Sequence, residues 1–208
     1  MRHRMAIGFI GAVALGSLTC AASTRFISSW KAPDAGPINF QGQKVAALVI
    51  HPDESIRLEA EGQLGRELTA RGVQGIPAYN LIPPNETRDK DRAKVLFNTA
   101  GIVGVVVLRA AGAEKEVSYS PAYWSAPYYA SFWGSYYGYG WGSVYAPGYL
   151  RTDTIVKVET LVYDLKADKL LWAGMSQSTN PSAVQPLIKE LVTAAAAEMK
   201  KQGLIKSR

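Results

Sequence analysis

The chain has 208 residues, 48% of them hydrophobic, with a formal net charge of +6 and one cysteine. That length suits one domain, and the apolar fraction is enough for a core. Much of the positive excess sits at Lys200, Lys201, Lys206 and Arg208, which fits a helix end better than a surface that tracks phosphates and argues against nucleic acid as a partner.

Arg2 and Arg4 precede an uncharged apolar run over 6–18, the pattern of a secretory leader. The run is too short to cross a bilayer, which takes about 20 residues. No later segment is long and apolar enough to do so as a helix. Cys20 follows Ser17, Leu18 and Thr19, where a bacterial lipoprotein signal places its diacylated residue, and a lone thiol in an oxidising compartment has no internal partner. The Leu preferred three residues before that cysteine is Ser17 here, with Leu18 one step late. Cleavage after Ala22, leaving no cysteine in the mature chain, is the alternative. With Ala21 rather than Asp after the cysteine, a lipidated protein is expected at the outer membrane of a two-membrane bacterium, facing the periplasm.

The expected layout is a leader at 1–19, a tether at 20–42 and one α/β domain at 43–208. The tether mixes Ser, Pro and Gly around one short element near 26–31. The apolar run 45–50 reads as a strand buried on both faces. After His51 and Pro52 a helix opens on Asp53 or Ser55, carrying Ile56, Ala60, Leu64 and Leu68 as its apolar stripe and ending near Gly72. A strand over 73–79, a loop at Pro83 and Pro84, a helix over 89–100 closed by Gly101, and a strand over 102–108 follow. Strand, helix, strand, helix, strand implies parallel pairing with right-handed crossovers.

From Tyr119 to Tyr149 the chain becomes aromatic and glycine-rich, with no charge between Glu116 and Arg151. Tyr137, Tyr139, Trp141 and Tyr145 alternate with Gly138, Gly140, Gly142 and Val144, so in an extended conformation the rings share one face. One reading is a long connection with its rings folded back on the sheet. The other is an insertion at about 119–149 that projects and docks on a partner or a membrane surface through Trp133, Tyr137, Tyr139 and Trp141. A transmembrane hairpin is disfavoured, because glycine supplies little apolar area.

Beyond it, 152–164 alternates as a long strand with Val156, Val158, Thr160 and Val162 on one face. Lys166, Ala167, Asp168 and Lys169 turn the chain, and 170–177 returns as the second arm of an antiparallel hairpin. Asn180 and Pro181 are expected to open a last helix with Val184, Leu187, Ile188, Leu191, Ala195 and Met199 as its stripe and Gly203 as its stop. The predicted fold is α/β, a mixed sheet of about five strands packed by helices, with Trp172 buried against that stripe.

Residues that could carry chemistry are sparse. His51 is the only histidine after the leader, and it reads as a polar loop residue, with Asp53 and Glu54 beside it as cap and dipole complement. No Ser stands in G-x-S-x-G and no phosphate-cradling loop opens a helix. Arg57 and Glu61 are four apart and read as a surface ion pair worth a few tenths of a kcal/mol. No catalytic, cofactor or metal residue is therefore assigned, and no enzyme is expected.

Ser29-Trp30-Lys31-Ala32-Pro33, Ser55-Ile56-Arg57 with Glu61, Leu64 and Leu68, and the hairpin from Tyr163-Asp164-Leu165 to Leu170-Leu171-Trp172-Ala173-Gly174 together resemble an uncharacterised family of bacterial envelope lipoproteins. The element order is also similar in architecture to the small α/β domain of outer-membrane lipoproteins that activate peptidoglycan synthases or assemble secretion pores. Those likenesses imply a lipid-anchored, non-enzymatic module that binds an envelope protein or holds an assembly together, with oligomerisation open to it. A glycan or peptidoglycan binder using the aromatic rings is the alternative, although no carboxylate or amide lies beside them from Ser118 to Leu150.

Overall fold

Val45, Ala46 and Ala47 are sealed from solvent, as an apolar run without alternation requires. They belong to β2 (Lys44–Ile50) of a computed structural model that describes residues 24–83, 86, 89–114, 123–124, 145–146 and 154–205. β2 lies between two parallel neighbours, β3 (Gln74–Pro77) and β4 (Ile102–Glu114). The crossovers between these strands carry α1 (Glu54–Ala70) and α2 (Lys90–Ala100). Within the segment between β4 and the later hairpin, β5 (Tyr123–Trp124) pairs antiparallel with β6 (Tyr145–Ala146). β7 (Ile155–Asp164) then runs antiparallel to β4, and β8 (Lys169–Thr179) antiparallel to β7. The last helix is α3 (Val184–Lys201).

The main sheet has six strands in the order β1-β8-β7-β4-β2-β3, so the mixed α/β architecture with its hairpin and C-terminal helix holds and one strand is added. That strand is β1 (Thr24–Lys31), antiparallel to β8 at the sheet's edge. It lies in the segment expected as a tether, and the residues after it are part of the domain as well. Ala32 and Ala35 are buried, Ile38 and Phe40 pack on the core, and the Ile38 amide donates to Leu204 O at 2.8 Å. β1 contains the short element expected near 26–31, and a register shift between Phe26 and Ser28 leaves Ile27 exposed.

Two clusters divide the core. On one face α1 and α3 pack together through Ala60, Leu64 and Leu68 against Leu191, Val192 and Ala195, over Val45, Ala47, Val158 and Val162. On the other, Ala93 and Phe97 of α2 cover Ala46, Val105, Val107 and Leu161. β7 is therefore buried on both faces, where the sequence pattern assigned one.

Three local expectations are corrected. Ile56 is exposed rather than the first residue of a buried stripe, and α1 instead turns Gly65 toward β3 and Gly62 toward Tyr79. The approach is so close that a Cβ on Gly75 would sit 2.2 Å from Gly65 O. β3 is shorter than expected, ending at Pro77 before a 3-10 turn at Ala78–Asn80. Asn180 does not open the last helix. At φ 49 it closes the hairpin's end, its side chain accepting from Thr154 N at 3.0 Å, and α3 starts at Val184.

Trp172 is sealed from solvent in the same cluster as Ile188 and Leu191. Its ring meets Phe26 edge-on with centroids 5.3 Å apart, and its Nε1 donates to Gln202 Oε1 at 3.0 Å. Gly174 leaves room for both rings, since a Cβ there would stand 2.3 Å from Trp172 and 2.4 Å from Phe26. Trp172→Ala is therefore predicted to cost about 3 to 5 kcal/mol in a urea unfolding measurement. A loss under about 1 kcal/mol would contradict this packing.

Candidate functional site

The registers across the sheet align four strand ends. Thr24 of β1 stands opposite Ser178, Ser178 opposite Val156, and Val156 opposite Ala113. Adjacent strands are about 4.8 Å apart, so the start of β1 and the end of β4 are separated by roughly 14 Å across one end of the sheet. The segments 1–23 and 115–153 thus both join the domain at that end. Cys20 belongs to the first, and Trp133, Tyr137, Tyr139 and Trp141 to the second. All five lie outside the described residues. Within the insertion, Tyr123 pairs with Ala146 and Trp124 with Tyr145.

Thr24 is held where β1 begins. Its hydroxyl bonds Ser178 Oγ at 2.7 Å and donates to Glu190 Oε2 of α3 at 2.9 Å. Any tether is thereby shortened to the residues before Thr24.

The same end of the sheet carries buried charge on the face turned away from α1 and α3. Lys157 and Glu159 of β7 are 4% and 0% exposed, and Arg109 Nη1 of β4 is 3.8 Å from Glu159 Oε2. Charges buried this deeply seldom add net stability, but removing one partner is costly because the other stays desolvated. Sequence alternation could not find them, since a strand's polar positions are ordinarily read as its wet face.

Glu61 overturns the expectation of a surface pair. Its partner is Arg57, as the spacing implied, at 3.3 Å, yet the carboxylate is sealed from solvent. Its Oε1 also accepts from Val49 N at 3.2 Å and its Oε2 from Tyr79 N at 2.9 Å. One side chain therefore joins the end of β2, α1 and the 3-10 turn. Burial pushes this carboxyl above the usual glutamic acid range, against the pull of the Val49 amide, Arg57 and the Tyr79 amide. The signal missed in sequence was the glycine pair: Gly62 and Gly65 bring β3 and its turn over this flank of α1.

His51 serves its turn, with Nδ1 accepting from Asp53 N at 3.0 Å while Asp53 Oδ1 caps α1 through Ile56 N. Among the described residues no three His, Cys, Asp or Glu gather to hold a metal ion, and no helix is long and apolar enough to cross a membrane.

No protein-family model matches this chain, and no curated protein does. Among solved structures it is similar to two dodecamers of PelC from Paraburkholderia phytofirmans, one of them a variant. Identity is 11% in both, over 90% of this chain and 99% of each PelC chain, with TM-scores of 0.45 and 0.44.

Glu61 supplies a test of the site's electrostatics. With its folded pKa raised, the native state binds more protons than the unfolded chain between the ordinary glutamate value of about 4.3 and the raised one. Its contribution to stability is thus full below that window and falls as pH climbs through it. Glu61→Gln should flatten this part of the pH profile. At neutral pH it should also cost about 1 to 3 kcal/mol, because one amide NH2 then faces a backbone N–H. Urea unfolding across the acid range checks both, and equal slopes for the two proteins would contradict the assignment.

Proposed function

We propose that this is an exported, lipid-anchored and non-enzymatic protein of the bacterial cell envelope, whose α/β domain binds or assembles an envelope partner. The aromatic insertion is its docking arm. The observation that carries this reading is the shared sheet end: the chain bearing Cys20 and the chain bearing Trp133, Tyr137, Tyr139 and Trp141 enter the domain side by side.

From Cys20 to Thr24 the chain spans at most about 14 Å, at 3.3 to 3.6 Å per residue. A diacylated Cys20 would hold this end of the sheet against the headgroups, and the insertion would leave the domain in the same plane. Tyr and Trp favour that boundary, where their rings are half-buried and their polar atoms stay wet. An uncharged segment also enters it without desolvating an ion. The opposite end of the sheet, with the β7–β8 turn, then faces away from the bilayer.

Cys20→Ser is predicted to move the protein from the membrane to the soluble periplasmic fraction. A mature chain shown by mass spectrometry to begin at Ser23 would end the lipid-anchor reading. Replacing 122–146 with a short Gly-Ser linker should leave the melting temperature unchanged and abolish membrane and partner association. If instead the domain fails to fold, the rings are core and the insertion is no arm.

A further inference from the structure

A cavity of about 280 Å³ lies between the end of α1, the C-terminal half of α3, the sheet, and the loop that carries Ile38 and Phe40. Its walls are apolar, with Leu68, Val106 and Leu191 among them. Dry apolar cavities of half this volume hold benzene-sized guests. At the ~30 Å³ a water occupies in the liquid, this one has room for about nine groups of methylene size.

Three polar residues interrupt the lining. Arg71 and Gln41 are at its rim, where Gln41 is exposed and donates to Arg71 O at 3.1 Å. The Arg71 guanidinium reaches Glu67 Oε2 at 2.7 Å and Thr193 Oγ1 at 2.8 Å, which keeps it fixed beside the opening. The third is Thr160, in the middle of β7. It is 3% exposed, lines the cavity, and its Oγ1 has no hydrogen-bond partner. An unmade bond at a buried hydroxyl is costly, and a valine of the same shape would avoid it. The position makes physical sense if the partner is a guest.

We propose that this cavity binds a hydroxylated medium-chain fatty acid. The alkyl chain fills the apolar space, the chain oxygen bonds the Thr160 hydroxyl, and the carboxylate remains at the mouth with Arg71 and the Gln41 amide. A plain hydrocarbon would leave Thr160 unsatisfied. A sugar or nucleotide would desolvate too many hydroxyls or charges against these walls. The proposed guest is a free lipid, and the Cys20→Ser protein used in the test keeps the chain's own anchor from taking its place.

The test uses the full chain carrying Cys20→Ser, so that no attached acyl group competes, with the apolar fluorophore 1-N-phenylnaphthylamine as probe. Saturable enhancement is expected, displaced by decanoic acid and more strongly by 3-hydroxydecanoic acid. Thr160→Val should weaken the hydroxy acid about tenfold, equivalent to one hydrogen bond of about 1.4 kcal/mol, and leave decanoic acid unchanged. Ala196→Phe, which projects a ring into the space, should abolish probe binding while the circular dichroism spectrum is retained. The proposal is overturned if the unsubstituted cavity shows no saturable binding, or if a folded Ala196→Phe protein binds the probe as before. Equal weakening of both acids by Thr160→Val would overturn the hydroxyl's role. Should Ala196→Phe not fold, the Thr160→Val comparison decides alone.

Discussion

The antiparallel ladder between β4 and β7 is the joint on which the domain depends. It runs from Gly104 opposite Asp164 to Glu114 opposite Ile155, and it fuses a parallel strand-helix unit to an antiparallel hairpin. Neither half covers its own apolar surface alone. Val158 and Val162 on one side of β7 need α3 and α1, while Leu161 and Tyr163 on the other join the cluster under α2. The ladder also bridges a connection of some forty residues. The entropy of closing such a loop grows only logarithmically, by about 0.6 kcal/mol per doubling, so a long insertion between paired strands is thermodynamically tolerable.

Once that joint forms, the rest of the sheet has its places set. β8 follows β7 through the turn at Leu165–Asp168, where Asp164 Oδ1 accepts from Lys166 N and Ala167 N at 2.8 and 3.0 Å. β1 then covers β8, and the Trp172 ring, wedged against Phe26 over Gly174, joins both to α3. The sheet's two edges are each unsuited to continued pairing. β3 carries Pro77, and β1 carries a register shift at Ile27.

Polar groups inside this core mark where elements from distant parts of the chain converge. Glu61 satisfies amides of β2 and the 3-10 turn from α1. Arg109, Lys157 and Glu159 sit at the root of the insertion, and Thr160 faces the cavity on the reverse side of the same strand. β7 thus carries charge on one face and the unmet hydroxyl on the other within four residues. Apolar side chains of similar volume would avoid the desolvation cost. Their presence ties a particular arrangement of α1, β4 and β7 to this fold.

The sequence by itself determined the elements whose signals are local. The continuous apolar run made β2 a strand buried on both faces, Asp53 or Ser55 marked the start of the first helix, where the structure has Asp53 as the cap, Gly101 closed α2, and the stripe from Val184 to Met199 faced the core. It also placed the N-terminal apolar run, Cys20 and the uncharged aromatic segment in order along the chain. Only the tertiary structure decided what depends on residues far apart in sequence. β1 becomes a strand because β8, more than a hundred residues later, offers it a ladder. Glu61 is buried because β3 closes over the glycines of α1, and Thr160 meets a cavity because two helix ends and a loop fail to fill the space between them. The meeting of the N-terminal chain with the insertion at one sheet end follows from strand order and register, which are set by non-local backbone pairing and the burial of both faces of β7, and no periodicity in the sequence encodes them.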